Sequence, residues 1–408
     1  MESLLARRAR NARSSVIRDL LRLVEQPGVL SLAGGLPAAD CFPVERLRVA
    51  ADRALAAVGV LGTQALQYGP TEGDGELRDL VAARAGVESS SVLITAGSQQ
   101  ALDLLARALI DPGDVVVVER PAYLGALQAL RTCEPELVGI ESDADGMRTD
   151  RLADRLEGGL RPKVVYVVPN FQNPTGAVMA VERRRQLAEL ADRFGFVVIE
   201  DDPYGELRFE GEALPPVASF GERVVRLGTV SKVLAPGLRV GWAIAPAALV
   251  GPLVRLKQAA DLHTSSLSQR VALDAWGDDA FMAEHLTLLR RVYADRAAAL
   301  LAALPPALKA DAPRGGLFLW ARAVGLDDST ALLPVAVEQG VAFVPGSAFD
   351  LDDRPGPWLR LSFSVLDPEQ LGLAADRLGA ALGAVLPERA QRSASSARSA
   401  LAGNASSR

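Results

Sequence analysis

From Val92 to Trp242 short runs of aliphatic and β-branched residues alternate with stretches whose apolar positions recur at helical spacing. Val92–Thr95 reads as a strand, and Gln99–Ile110 as a helix with Leu102, Leu105, Ala106 and Leu109 on one face. Asp111-Pro112-Gly113-Asp114 is a turn, and the β-branched run that follows predicts a strand over Val115–Glu119. Further strands are expected at Val164–Val168, Phe196–Glu200, Val224–Leu227 and Gly241–Ala245. Between them, Val181–Phe194 has helical period and an Arg-rich outer face that solvent would cover. Strands that are apolar on both faces and alternate with helices imply a mostly parallel sheet covered on both sides, an α/β fold.

Beyond about Val250 the texture changes. Leu262–Ala275 and Ala280–Leu304 read as long helices, the second a candidate connector between two domains. Gly315–Trp320, Val341–Val344 and Trp358–Phe363 then supply short strands of a smaller α+β unit, which the N-terminal segment would complete. The expected division is an N-terminal arm with part of the small domain (1–50), a large domain (51–278), a small C-terminal domain (279–388) and a disordered tail (389–408) poor in large apolar residues.

Composition narrows the function. The 408 residues carry 44 Lys+Arg against 50 Asp+Glu, a net charge of −6 that argues against a nucleic-acid surface. Hydrophobic residues make up 49% and charged residues 23%, which excludes wholesale disorder. No apolar run approaches the ~20 residues of a membrane helix. Met1–Arg13, rich in Arg and Ala, faintly resembles a transit peptide, but a surface arm of a cytoplasmic protein is the better reading. Cys41 and Cys133 cannot form a disulfide scaffold, and with only His263 and His285 there is little material for a metal site or a Ser-His-Asp triad. Lysine is scarce too: Lys163, Lys232, Lys257 and Lys309 are the four.

Lys232 stands out because Ser231-Lys232 follows the predicted strand Val224–Leu227, where open α/β sheets form their ligand crevices. There its amine can form a Schiff base with a carbonyl cofactor. An isolated lysine after a strand is usually a surface residue, but three features accompany this one. Phe196–Glu200 runs into Asp201-Asp202-Pro203-Tyr204, offering a carboxylate that can pair with a protonated ring nitrogen. Asn173-Pro174-Thr175-Gly176 follows Val164–Val168, and the Asn173 amide can donate to a phenolic oxygen. Thr95-Ala96-Gly97-Ser98-Gln99-Gln100 joins a strand to a helix whose free N–H groups suit a phosphate, although Ser98 equally suits a plain helix cap. The Walker pattern of nucleotide triphosphate sites is missing.

Together these residues resemble the fold-type I pyridoxal-phosphate enzymes of the class I/II aminotransferases, over nearly the whole chain except the tail. More narrowly, Val16–Leu21, Ser31-Leu32-Ala33-Gly34-Gly35-Leu36-Pro37, Gln67-Tyr68-Gly69-Pro70-Thr71-Glu72-Gly73 and Asp261-Leu262-His263-Thr264 resemble the 2-aminoadipate and kynurenine/aminoadipate aminotransferases. The resemblance implies a large domain built on a mostly parallel seven-stranded sheet that binds pyridoxal 5′-phosphate. It implies that Lys232 carries the cofactor and moves the substrate proton, that Asp201 pairs with the pyridine nitrogen, and that Asn173 and Tyr204 bond the 3′-oxygen. Tyr123 would stack on the ring. Ser98, Gln99, Thr229, Ser231 and Arg239 would hold the phosphate, and Tyr68 would reach it from the other subunit of a homodimer. Arg360 would clamp the substrate carboxylate beside Asn173 and Gly35, with a fork that suits a carboxylate better than a lysine would.

The implied reaction is exchange of an amino group between an L-amino acid and a 2-oxo acid, with 2-oxoglutarate and glutamate as one pair and ping-pong kinetics. Arg18, by the same resemblance, contacts an acidic side chain such as that of 2-aminoadipate. Its Arg-rich surroundings accommodate it equally as a helix-surface residue. A non-proteinogenic amino-acid substrate, or another reaction at Cα, would use the same cofactor residues. A transcription regulator on this fold would require an added DNA-binding head, whereas the family motifs begin near residue 14. A catalytically silent cofactor binder fits poorly with Lys232, Asp201, Asn173 and Arg239 all present.

Overall fold

In a computed structural model, residues 4–11, 28–56 and 63–405 are described. They divide into two compact units, one drawing on 4–11, 36–294 and 313–317, the other on 28–35, 295–312 and 318–405.

The first unit is organised around the apolar runs of the middle of the chain, which form strands β1 (Val92–Thr95), β2 (Val115–Arg120), β3 (Glu136–Asp143), β4 (Gly146–Met147), β5 (Val164–Val167), β6 (Val197–Asp201), β7 (Val224–Thr229) and β8 (Gly241–Ile244). Among the described residues they make one eight-stranded sheet in the order β1-β8-β7-β6-β5-β2-β3-β4. Pairing is parallel from β3 through β2, β5 and β6 to β7, and antiparallel at β7–β8, β8–β1 and β3–β4. The expected seven strands are joined by the two-residue β4, an edge hairpin too short to show in the hydrophobic pattern.

Every residue of β1 and β5 is buried, as a sheet covered on both faces requires. One cluster packs Val117, Val165 and Val198 against Leu152, Leu156, Leu187 and Ala191 of helices Thr149–Glu157 and Val181–Phe194. Helix Ser98–Leu109 buries Ala101, Leu102, Leu104, Leu105 and Ala106. Gly86 and Gly195 end helices Gly75–Ala85 and Val181–Phe194 in the left-handed conformation, where glycine meets no steric cost.

Two helical assignments differ from the sequence pattern. The helix expected over Leu262–Ala275 begins at Ser266, where Ser265 accepts from Ser268 N at 3.3 Å as its cap. Before it lies a separate helix, Ala247–Asp261, ended by Leu262 at φ 67°. Helix Val44–Ala56 packs on Ser266–Trp276 and so belongs with the first unit rather than with an N-terminal arm.

In the second unit Leu308–Lys309, Phe318–Ala323, Trp358–Ser362 and Val344–Pro345 form an antiparallel sheet in that order. Leu30–Ser31 pairs in parallel with Val341–Ala342. Helix Asp279–Ala303 contributes residues to both units, which divide within it at 294/295 rather than at its start. The last helix runs Pro368–Ala405, through most of the stretch expected to be disordered; its Ala and Arg content favours helix even where apolar residues are few.

Candidate active site

Strands β5, β6 and β7 are parallel, so their C-terminal ends open on one edge of the sheet. Gly241, the first residue of β8, pairs with both Thr229 and Thr95, which brings the turns after β1 and before β8 to the same edge. Five loops therefore meet where ligand crevices form in such sheets.

Asp201 ends β6 and is 4% exposed. Its Oδ2 accepts from the Tyr166 hydroxyl of β5 at 2.8 Å, whereas Oδ1, equally buried, has no partner among the described residues. Burial pushes its pKa up to about 6, opposed by the Tyr166 hydrogen bond and by the positive charge of Lys232. The same burial, reinforced by Asp201, drives Tyr166 well above the usual tyrosine range, so its hydroxyl is a permanent donor. Lys232 closes the short helical turn Val230–Lys232 that follows β7 directly. In the loop after β5, buried Asn173 donates from Nδ2 to the Tyr204 hydroxyl at 3.5 Å.

On the other side of the crevice, helix Ser98–Leu109 starts after Gly97, the cap residue, without a side-chain cap. Ser98 is thus not spent on capping, and the free N–H groups of the first turn remain available to an anion. Arg239, at φ 52°, donates from Nη2 to Ala96 O at 2.7 Å. A Cβ on Gly97, itself at φ 88°, would lie 2.6 Å from that guanidinium nitrogen, so only glycine lets arginine and helix start come together. Thr229 Oγ1 donates to Val240 O (2.9 Å), accepts from Ser231 N (3.1 Å) and lies 2.8 Å from Ser231 Oγ. Gln99 turns its amide away to Gly125 O (2.8 Å). The Tyr123 ring is half-buried and packs over Gly125, where a Cβ would approach it to 2.5 Å.

The cradle backbone is tied from behind. Gln100 Oε1 accepts from Ala96 N (2.8 Å) and from Nζ of the buried Lys257 (3.1 Å), while Lys257 also donates to both oxygens of Asp261. Glu119, at the end of β2, supports the Asn173 loop. Its Oε2 accepts from Val168 N (2.9 Å) and Gln172 Nε2 (3.4 Å), and Gln172 Oε1 accepts from Thr175 N (2.9 Å).

The first unit therefore assembles Ser98, Gln99, Tyr123, Asn173, Asp201, Tyr204, Thr229, Ser231, Lys232 and Arg239 on loops at one sheet edge. Tyr68 is different: it is 76% exposed, and its ring meets His263 edge-on at 5.7 Å. In the second unit Arg360 is 1% exposed, donates from Nη2 to Ala33 O at 2.6 Å, and lies over the rings of Phe318 and Phe349. Gly35 approaches Phe318 so closely that a Cβ would sit 2.8 Å from the ring. Arg18 lies outside the described residues.

Tyr166, Glu119 and the Gln100–Lys257–Asp261 group are additions to the sequence-based site. Their signal was a polar tip inside a wholly apolar strand or helix face, which must find a partner.

The arrangement fits a phosphorylated pyridine aldehyde. Asp201 Oδ1 is an acceptor without a donor at the end of β6, the helix start and Arg239 supply a phosphate cradle, and a lysine amine stands at the neighbouring strand end.

The comparisons agree. The sequence model of the family aminotransferase class I and II matches residues 29–378. The chain is 41% identical to an aromatic-amino-acid aminotransferase of Thermococcus litoralis, covering 92% of this chain and 93% of that protein. It is also 41% identical to the 2-aminoadipate transaminase of Thermus thermophilus, over 91% of this chain and 95% of the other. Among solved structures, an alpha-aminoadipate aminotransferase of Thermus thermophilus complexed with N-(5′-phosphopyridoxyl)-L-leucine superposes with a TM-score of 0.87. It is 39% identical, covering 95% of this chain and 99% of that one.

Proposed function

Because the chain belongs to the class I and II aminotransferases, which are pyridoxal-phosphate enzymes, we propose that it moves an amino group from 2-aminoadipate or a broader set of L-amino acids to 2-oxoglutarate, in two half-reactions at one site. The observation that carries this reading is the buried, unpartnered Oδ1 of Asp201 beside the Tyr166 bond, with Lys232 close enough to lower the pKa of the same carboxylate.

When bound, the cofactor supplies an electron sink for the charge that develops at the substrate Cα. Asp201 Oδ1 accepts from the protonated ring nitrogen and, as a carboxylate, keeps that proton in place. Asn173 and Tyr204 hold the phenolic oxygen, and Tyr123 covers the ring. Ser98, Gln99, Thr229, Ser231 and Arg239 serve the phosphate. Lys232 Nζ would hold the cofactor and would serve beside the substrate Cα as a tethered general base. Arg360 fixes the α-carboxylate, and the small Gly35 leaves room beside it.

Exposed Tyr68, together with Leu66 at 72% and Leu262 at 45%, supports a homodimer in which Tyr68 completes the phosphate site of the other subunit. Among the described residues no helix is long and apolar enough to cross a membrane.

The names of the relatives support both an acidic and an aromatic donor. The test is a single-turnover screen of the loaded enzyme with 2-aminoadipate, glutamate, leucine, phenylalanine and tyrosine, followed by addition of 2-oxoglutarate. Conversion of the bound cofactor to its aminated form by 2-aminoadipate, and its return with 2-oxoglutarate, is the expected result. Loaded enzyme that none of these donors converts would overturn the substrate reading.

A further inference from the structure

A second polar cavity opens in the first unit, of about 320 Å³; of the cofactor-site residues Thr229 lines it, and Lys232, Asp201, Asn173 and Tyr204 do not. Four arginines from separate parts of the chain converge there: Arg84, Arg208, Arg226 and Arg290. Only two carboxylates, Asp202 and Glu206, share the lining, which leaves two positive charges in excess.

The arginines are poorly neutralised by the protein. Arg226 reaches Asp202 at 3.6 Å, and Arg84 is drawn to Asp279, outside the cavity. Among the described residues Arg208 and Arg290 make no ion pair; Arg290 donates only from Nε to Glu206 O, at 2.9 Å. Burial and the like charge of Arg314 lower the pKa of Arg208, the signature of a guanidinium short of negative charge.

Two further donors are stranded at the same place. Nε1 of Trp276 and Nε of Arg208 are buried without an acceptor among the described residues, and Trp276 is only 4% exposed. Trp276 is fixed between Trp242, at 4.8 Å between ring centroids, and the Arg84 guanidinium at 4.1 Å. Its indole N–H therefore cannot turn away to find water. Buried donors left unmade are costly, and both of these belong to residues of the cavity wall.

We propose that this cavity binds a small dianion bearing carboxylate or phosphate groups, at a site that adjoins the cofactor crevice and shares Thr229 with it. Arginine forks match the paired oxygens of both groups, and the Trp276 indole lies in the same wall against the Arg84 guanidinium. The volume exceeds what a single ion needs and suits a short dicarboxylate or a phosphate monoester. Since Asp202 adjoins Asp201 and raises its pKa, an anion that draws Arg226 off Asp202 would be felt at the cofactor carboxylate.

The experiment titrates the loaded enzyme with glutarate, with inorganic phosphate and with glycerol phosphate, reading tryptophan emission and the number of equivalents bound per protomer. One of these probes should change the emission saturably and add an equivalent beyond the substrate site. Arg208→Gln and Arg290→Gln should each weaken that equivalent about tenfold or more, as loss of a charge-assisted bond predicts. Trp276→Phe should remove the emission change. The visible absorbance of the bound cofactor serves as the check that each variant is folded. Response to glutarate alone assigns a dicarboxylate, and response to the phosphates alone assigns a phosphate ester. If no probe alters the emission, or if both arginine variants bind as wild type does, the proposal is overturned.

Discussion

The Tyr166 hydroxyl donates to Asp201 Oδ2 at 2.8 Å, across two neighbouring parallel strands. It opposes the burial that pushes the Asp201 carboxyl up to about 6, and so favours the charged form that a protonated ring nitrogen requires. Tyr166→Phe removes the bond while keeping the ring. Asp201 should then titrate higher, the cofactor should bind about tenfold or more weakly, and turnover should lose its acidic limb at a higher pH. A hydrogen bond to a charged group is worth about 1.5–3 kcal/mol, which sets that scale. Cofactor titration of the unloaded protein together with a pH–rate profile checks this; an unchanged profile would remove Tyr166 from the site.

Glu119 gives a prediction about stability alone. It is 1% exposed, Oε1 has no partner among the described residues, and burial pushes its pKa up to about 8. The folded state therefore holds a proton that the unfolded chain, with the ordinary carboxyl value of 4.5, gives up. The contribution is fully present below about 4.5 and is lost as pH rises through 8. Glu119→Gln keeps an oxygen for Val168 N and has no charge to bury. The variant should match the wild type in acid and exceed it at pH 9, read as urea midpoints across that range.

Much of this was legible in the chain because the informative residues occur in runs. β-Branched runs fixed β1, β2, β5, β6 and β7, and the strand-end positions of Asp201, Asn173 and Lys232 followed from them. β3 escaped because Leu137, Val138 and Ile140 are broken by Gly139 and followed by Glu141-Ser142-Asp143, with Ile140 alone fully buried, so neither an apolar run nor an alternation stands out. Helix Ala247–Asp261 escaped because Pro246 and Gly251-Pro252 read locally as turns, a preference that tertiary packing overrides. Tyr166 lies within an apolar strand and Glu119 near the end of another; what their polar ends reach depends on strand order, which a single sequence does not display.

Tyr68 and Lys232 together test whether the sites are composite. If Tyr68 serves the other subunit, Lys232→Ala and Tyr68→Ala should each be strongly impaired as homodimers. Mixed under conditions of subunit exchange, half the dimers become hybrids with one site carrying both native residues. About a quarter of wild-type activity should then return, as two-fold symmetry dictates. If Tyr68 acts within its own subunit, no hybrid site is intact and mixing restores nothing. With Tyr68 76% exposed, the substitution should leave the fold of the isolated chain intact.

Lys257 joins the cofactor cradle to the helix behind it, and it does so with all three of its donors. Nζ reaches Asp261 at 2.8 and 2.9 Å and Gln100 Oε1 at 3.1 Å, and its side chain is wholly buried. Lys257→Met keeps the volume and removes the charge. Breaking a buried pair costs about 3–5 kcal/mol, and because Asp261 is itself 28% exposed the loss should fall toward about 2 kcal/mol. Gln100 would keep Ala96 N and its own Nε2 bond to Asp261 Oδ2 (2.6 Å) but lose the Lys257 donor, so the cofactor should dissociate faster than from wild type. Asp261→Asn makes the complementary case. Burial already lowers the Lys257 pKa, and without Asp261 nothing opposes it, so the folded state should release the proton well below the unfolded value. In the interval between the two pKa values the unfolded chain binds more protons, and stability must rise with pH. The Asp261→Asn protein should therefore melt relatively higher at pH 10 than at pH 7, while Lys257→Met, with no amine to titrate, should show no such gain; equal pH dependence in the two variants would mean that the Lys257 charge is not what holds the cradle.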